Sequence, residues 1–162
     1  MTTSVSPPSA PDLDDPGLTE LLRAFRQMQL QHGRVIVHQS EALHMGATDI
    51  RALFFISSGG DDGATPKQVA EFLELSTGAT TSLVDRLVAA GTLERQAHPT
   101  DRRSIVLHMT DAGHDAVRRV ADVYRCALAA AIPQESYERM TEVFRSISAA
   151  LTDGSGCFST EP

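Results

Sequence analysis

The 162-residue sequence predicts a mainly α-helical protein that carries one small β wing of two or three strands. Three observations lead to this fold class. Apolar residues recur every three to four positions over most of the chain, which is the spacing of one buried helix face. Two helix-capping signals, at Thr65 and Ser76, each open a short helix. Two short strand patterns then follow, joined by a turn segment.

The amino-terminal part predicts a tail followed by two helices. Residues 1–16 are rich in Ser, Thr, Pro and Asp, and have too few large apolar groups to offset the entropy of ordering. A long amphipathic helix runs from Leu18, with Gly33 as a candidate bend, and a second helix opens at Thr48. Residues 57–63, SSGGDDG, predict the loop that ends it. The buried residues predicted for the second helix are Ile50, Leu53, Phe54 and Phe55.

The centre of the chain predicts two short helices that meet at a tight turn. Thr65 and Gln68 have the spacing of a capping box, and the helix they open runs through Leu73. Ser76 caps the next helix, and Gly91 stands where a left-handed residue commonly closes one. This is the pattern of a helix-turn-helix, whose second helix is STGATTSLVDRLVAA.

The second half of the chain predicts a hairpin and two helices. Residues 93–97 and 104–109 read as strands, with HPTDRR as their loop. Thr110 and Asp111 cap a helix of about two dozen residues, and Pro133 starts a final one. The order of elements is therefore that of a winged helix-turn-helix framed by helices at both ends.

This order predicts five segments. The apolar stripes of the framing helices exceed what the small winged module can cover, so we expect them to pack between two subunits. The segments are a disordered tail at 1–16, a helical dimerisation region formed by 17–44 and 110–151, a winged helix-turn-helix DNA-binding domain at 45–109, and a second disordered tail at 152–162.

Charge is distributed so that any nucleic-acid surface must be local. The formal net charge is −7, which argues against a protein coated in basic patches. Between residues 65 and 108, however, five basic residues balance five acidic ones, and from Arg86 to Arg103 there are four basic residues against two acidic. Positive charge therefore concentrates on the second helix and the wing, and predicts modest, salt-sensitive DNA affinity.

The candidate DNA-binding residues follow from the predicted winged helix-turn-helix, because the second helix of a helix-turn-helix lies in the major groove. Asp85 either accepts a hydrogen bond from a cytosine amino group or holds Arg86 in place, and we favour the second role. In the wing, Asp101 is placed to orient Arg103. The alternatives are a solvated polar helix face and an ordinary exposed ion pair worth about 0 to 1 kcal/mol. The candidate DNA-binding residues are Lys67, Gln68, Ser76, Thr77, Gly78, Thr81, Ser82, Asp85, Arg86, Asp101, Arg102 and Arg103.

Other chemistry is not indicated. Cys126 and Cys157 lack metal or redox spacing, and we expect Cys126 to be a small packing residue in a reduced intracellular protein. The six histidines form no ligand pattern, and no phosphate-binding loop or activated nucleophile is present. The sequence therefore predicts no enzyme, no cofactor and no metal. With no leader or spanning segment, it also predicts a cytoplasmic protein that does not bind membranes.

Residues 75–113, LSTGATTSLVDRLVAAGTLERQAHPTDRRSIVLHMTDAG, resemble the MarR family of bacterial transcription regulators. Residues 45–53 also resemble the family's second helix, so that the resemblance covers roughly residues 18–151. One departure is Thr80, where the family has an apolar residue. The matching elements are Leu75-Ser76, Val84-Asp85-Arg86-Leu87, Gly91-x-Leu93-x-Arg95, Asp101-Arg102-Arg103-Ser104 and Thr110-x-x-Gly113.

The resemblance implies a homodimeric repressor of double-stranded DNA whose first and last two helices interlock. It implies a palindromic operator, with Arg103 in the minor groove and Asp101 as its orienting partner. It also implies release by a small, often aromatic or phenolic, effector, whose contacts are unknown although Arg34 and His38 are candidates. The oxidation-sensing cysteine near the first helix of some members is absent. The alternative is a winged-helix protein-interaction module without DNA binding, suggested by the acidic total charge.

Overall fold

A computed structural model describes residues 12–97 and 104–152, and it has the predicted mainly α fold with a small β wing. Short 3-10 turns at Gly60–Asp62 and Gln134–Ser136 connect some of the elements. The elements are α1 (Pro16–Leu43), α2 (Ala47–Ser58), α3 (Pro66–Leu73), α4 (Thr77–Ala89), β1 (Leu93–Ala97), β2 (Ile105–Met109), α5 (Asp111–Ala131) and α6 (Tyr137–Thr152).

The chain forms two compact units, Met1–His114 and Asp115–Pro162. The first unit contains α1 to β2 and the first turn of α5, and α1 packs against α2 within it. The second contains the rest of α5 and α6. The predicted disordered tails lie mostly outside the described residues, and the predicted role of the framing helices in dimerisation stays a prediction.

Some helices begin or end at other residues than predicted, because local hydrogen bonds extend them. Helix α1 begins at Pro16, within the predicted tail, because the Asp15 carboxylate accepts a hydrogen bond from the Leu18 N–H at 2.9 Å. It then continues through Gly33 to Leu43. Helix α2 begins at Ala47 rather than Thr48.

The predicted loop 57–63 is partly helical. Ser57 and Ser58 belong to α2, since their hydroxyls donate to carbonyls of the preceding turn at 2.8 and 2.6 Å, and Gly60–Asp62 forms a 3-10 turn. At the other end of the chain Pro133 precedes a 3-10 turn, and α6 starts only at Tyr137. Residue 104 lies outside β2.

The core of the first unit is aliphatic. Phe54 and Phe55, predicted to be buried, are only half-buried, because Ile50, Ala52, Leu53 and Ile56 occupy the inner face of α2. Phe55 instead stacks on Phe72 of α3, with ring centroids 4.3 Å apart. The largest fully buried side chains of this unit are Leu53, Ile56, Val69, Leu87, Leu93 and Leu107.

The wing is an antiparallel pair in which Leu93 lies opposite Met109 and Ala97 opposite Ile105. A single bridge from Ala64, with N–O distances of 3.1 and 2.8 Å to Leu107, adds a third segment on the other edge of β2. Val106 and Leu107 are therefore both buried, so that β2 buries two successive side chains.

Candidate nucleic-acid interface

Helices α3 and α4 are joined by a three-residue turn that local sequence specifies. The Thr65 hydroxyl accepts from the Gln68 N–H at 3.3 Å, and the Gln68 side chain accepts from the Thr65 N–H at 2.8 Å, which completes the predicted capping box. Glu74 takes a left-handed conformation with φ of 55°, and Ser76 caps α4 through the Ala79 N–H at 3.3 Å. Both caps are confirmed.

One face of α4 is exposed and small. Thr77, Gly78, Thr81 and Ser82 are exposed, while Leu83, Val84 and Leu87 are buried on the opposite side. A methyl group added at Gly78 would meet nothing within 4 Å. Short side chains and one glycine therefore leave the helix backbone open to close approach by a ligand.

Thr80 is buried, in a position where the family has an apolar residue. Its hydroxyl donates to the Ser76 carbonyl at 3.0 Å, so that the polar atom is satisfied within the helix and only the methyl group needs apolar surroundings. The substitution is thus compatible with the packing of α4.

Arg86 pairs with Asp49, not with the neighbouring Asp85. The Asp49 carboxylate receives Arg86 Nε at 3.1 Å and Nη2 at 2.5 Å. The hydrogen bond and the charge of Asp49 raise the pKa of the Arg86 guanidinium above its already high ordinary value. The expected pairing of Asp85 with Arg86 is wrong because residues adjacent on a helix point about 100° apart.

Asp85 instead pairs with Arg95 on β1, with Nη2 and Oδ1 2.5 Å apart. This ion pair links α4 to the wing. Asp49 and Arg95 were missed as site residues by sequence reasoning. The position of Asp49, three residues after Gly46 at a helix start, is a recognisable capping signal, but its partner lies 37 residues away in the chain.

The remaining candidates are distributed between α3 and the wing. Lys67 is exposed on α3, with its Nζ 3.7 Å from Glu71 Oε1. The Gln68 side chain accepts the hydrogen bond from the Thr65 N–H that completes the capping box of α3. The three wing residues, Asp101, Arg102 and Arg103, lie outside the described residues. The strands of residues 93–97 and 105–109 that flank them are present.

Two grooves are lined by residues other than these candidates. One, of about 630 Å³, runs along α1 and is lined by Arg34 and His38, the two residues that the sequence suggested for an effector. The other, of about 420 Å³, lies between α5 and α6 and is mostly apolar. Cys126 of α5 is exposed, so that the expectation of a packing residue is not met within the chain. Among the described residues no group of three or more metal-ligating side chains occurs.

A helix-turn-helix followed by an antiparallel hairpin, with the second helix presenting an exposed polar face, defines the winged helix-turn-helix class. Residues 45–104 match the model of the MarR family. Over these residues the chain is similar to the MarR family, in agreement with the resemblance found in the sequence.

The relatives are consistent with this assignment. The uncharacterized HTH-type transcriptional regulator YcgE of Bacillus subtilis is 32% identical over 93 residues, which are 56% of this chain and 57% of YcgE. The chain thus spans little more than half the length of this curated relative. RV1404 from Mycobacterium tuberculosis is 28% identical, with a TM-score of 0.64 over 93% of this chain and 99% of RV1404.

A third similar structure is the S. aureus MepR–DNA complex, with a TM-score of 0.56, 16% identity, and coverage of 80% of this chain and 98% of MepR. At this identity the likeness concerns the fold. The family consists of transcription regulators rather than enzymes, in agreement with the sequence prediction. No helix within residues 12–97 and 104–152 has the length and apolar character needed to cross a membrane.

Proposed function

We propose that this protein is a sequence-specific DNA-binding transcription regulator, and in particular a homodimeric repressor that binds a palindromic operator and is released by a small aromatic or phenolic ligand. The observation that carries the proposal is the exposed face of α4, where small polar side chains surround an accessible backbone. A face of this kind suits close contact with the major groove.

The hydrogen bonds of this face favour particular base edges. The hydroxyls of Thr81 and Ser82 donate to the Thr77 and Gly78 carbonyls at 2.9 and 3.1 Å. Their outward lone pairs are therefore acceptors, which suit the amino groups of adenine and cytosine. The amino end of α4, near Gly78, favours a phosphate through the helix dipole.

Two further observations support the proposal. MepR, which shares this fold, was crystallised with DNA. Exposed leucines along α1, among them Leu21 and Leu22, offer apolar surface that a second subunit can cover. The proposal includes a cytoplasmic location, where such a regulator would meet its DNA.

The effector is supported by the groove on α1. Arg34 and His38 line it together with Leu30 and Val37, which combines positive charge with apolar surface. Such a lining suits an aromatic acid, whose carboxylate can pair with the arginine.

The test is selection of bound fragments from genomic DNA, followed by anisotropy titrations at several salt concentrations. We expect a two-fold symmetric site. Arg103→Ala should weaken binding and shallow the plot of log affinity against log salt by about one unit, because one positive charge held close to the DNA is lost. Arg118→Ala, which removes the same charge from α5, should leave the slope unchanged. Addition of benzoate to the complex tests release.

Two outcomes would contradict parts of this proposal. An unchanged slope for Arg103→Ala would show that the wing does not contact DNA. If the wild type retains no duplex even at low salt, the alternative of a winged-helix protein-interaction module is correct instead.

A further inference from the structure

Asp49 is a buried carboxylate at the first turn of α2, with its side chain only 4% exposed. One oxygen accepts hydrogen bonds from the Gly46 N–H at 2.9 Å and from Arg86 Nε at 3.1 Å, and the other accepts from Arg86 Nη2. The guanidinium therefore binds both oxygens side by side, which is the geometry with the strongest directional preference.

This pair joins two elements of the module. Asp49 is fixed to the start of α2 by its bond to Gly46, and Arg86 lies one turn beyond Ser82 on α4. Residues four apart lie on the same side of a helix, so a change in how Arg86 is held alters where Ser82 points. The neighbouring Asp85 pairs with Arg95 of β1. Adjacent residues thus tie α4 to α2 on one side and to the wing on the other.

We infer that Arg86 is a positioning residue, which acts with Asp49 to set the orientation of α4, and that its charge does not serve as a DNA contact. The inference rests on the proposed DNA-binding function and reassigns one of the residues that the sequence placed at the DNA. Breaking the pair from either side leaves α4 less well oriented, and removing Arg86 also leaves a buried carboxylate without its main partner.

The experiment compares Asp49→Asn, Arg86→Gln, the double variant and Arg86→Lys on the selected duplex, by anisotropy at several salt concentrations. We expect each single variant to lose affinity by about tenfold and the double variant to lose no more than the worse single one, because both remove one interaction. The salt slope should stay that of the wild type. Arg86→Lys should not restore affinity, since an ammonium cannot reproduce the paired bonds of the guanidinium.

A second readout separates orientation from simple loss of stability. Affinities are measured for duplexes altered at single operator positions. Asp49→Asn should reduce discrimination between bases although Asp49 is buried away from DNA, whereas Arg118→Gln, a matched loss of charge on α5, should not. Circular dichroism at the assay temperature verifies that each variant is folded.

The opposite pattern would overturn the inference. If Arg86→Gln shallows the slope by about one unit, Arg86→Lys retains affinity and Asp49→Asn binds as the wild type does, then Arg86 contacts a phosphate. Failure of the DNA-binding proposal is distinguishable, because it would appear as absence of binding by the wild type itself.

Discussion

Gly78 occupies the second position of α4, where an added methyl group would meet no atom of another part of the described chain within 4 Å. A glycine inside a helix destabilises the folded state, because it loses more backbone entropy than alanine does. At Gly78 no close contact with the described chain requires the absence of a side chain. Approach of a phosphate to the helix start supplies a reason for that absence under the proposed function.

We therefore predict that Gly78→Ala has opposite effects on stability and on DNA binding. The free energy of unfolding should rise by up to about 1 kcal/mol, because alanine favours the helix. DNA affinity should fall several-fold, since the methyl group occupies the space of the phosphate. Thermal unfolding and anisotropy measure the two quantities. An affinity that rises together with stability would contradict the role assigned to Gly78.

At the scale of elements, the start of α5 is fastened to the turn between α4 and β1. The Thr110 hydroxyl donates to the Gly91 carbonyl at 2.6 Å and accepts from the Gly113 N–H at 3.2 Å. The Thr92 carbonyl accepts from the Thr110 N–H at 3.2 Å. This junction gives a structural reason for the Thr110-x-x-Gly113 pattern, because α5 and the turn approach closely only where there is no side chain.

Gly113→Ala should accordingly destabilise the protein. A methyl group at this position would lie 2.2 Å from the Thr92 carbonyl oxygen, so the backbone has to shift. We expect a loss of about 1–3 kcal/mol in the free energy of unfolding, the usual cost of overpacking. Chemical denaturation followed by circular dichroism measures it, with Gly78→Ala as the matched control in open space. Equal effects of the two substitutions would refute the close contact.

The elements themselves could be predicted largely from local signals. The caps at Thr65 and Ser76 and the turn glycine Gly91 act within a few residues, and all three lie where the sequence placed them. The ion-pair partners of Asp85 and Arg86 could not be predicted, because each partner lies on another element: Arg95 on β1 for Asp85 and Asp49 on α2 for Arg86. Which charged side chains form an ion pair depends on which of them the folded chain brings within hydrogen-bonding distance.

At the scale of the whole molecule, α1 leaves part of its apolar stripe exposed, although Ile36 is buried. Leu21 and Leu22 are 64% and 47% exposed. Burying one such side chain contributes about 1.5–3 kcal/mol, so a stripe of them is a substantial driving force for association.

We predict that the wild type is a dimer and that Leu22→Glu shifts it toward the monomer at micromolar concentration, because a charge then has to be buried. Gln27→Glu adds the same charge about 140° around the helix and should leave the dimer intact. Sedimentation velocity measures both. A wild type that is monomeric at every concentration would contradict the dimer and with it the palindromic operator.

The sequence by itself determined the order of the elements, the helix-turn-helix with its caps and the wing strands, because hydrophobic periodicity and capping act between near neighbours in the chain. It also indicated a resemblance to the MarR family, through residues 75–113. Only the tertiary structure decided that Arg86 is held by Asp49, that Asp85 is bound to Arg95, and that Thr80 is satisfied while buried. The physical reason is that a charged side chain pairs with whatever the fold brings within hydrogen-bonding distance, and that distance is not encoded in local spacing.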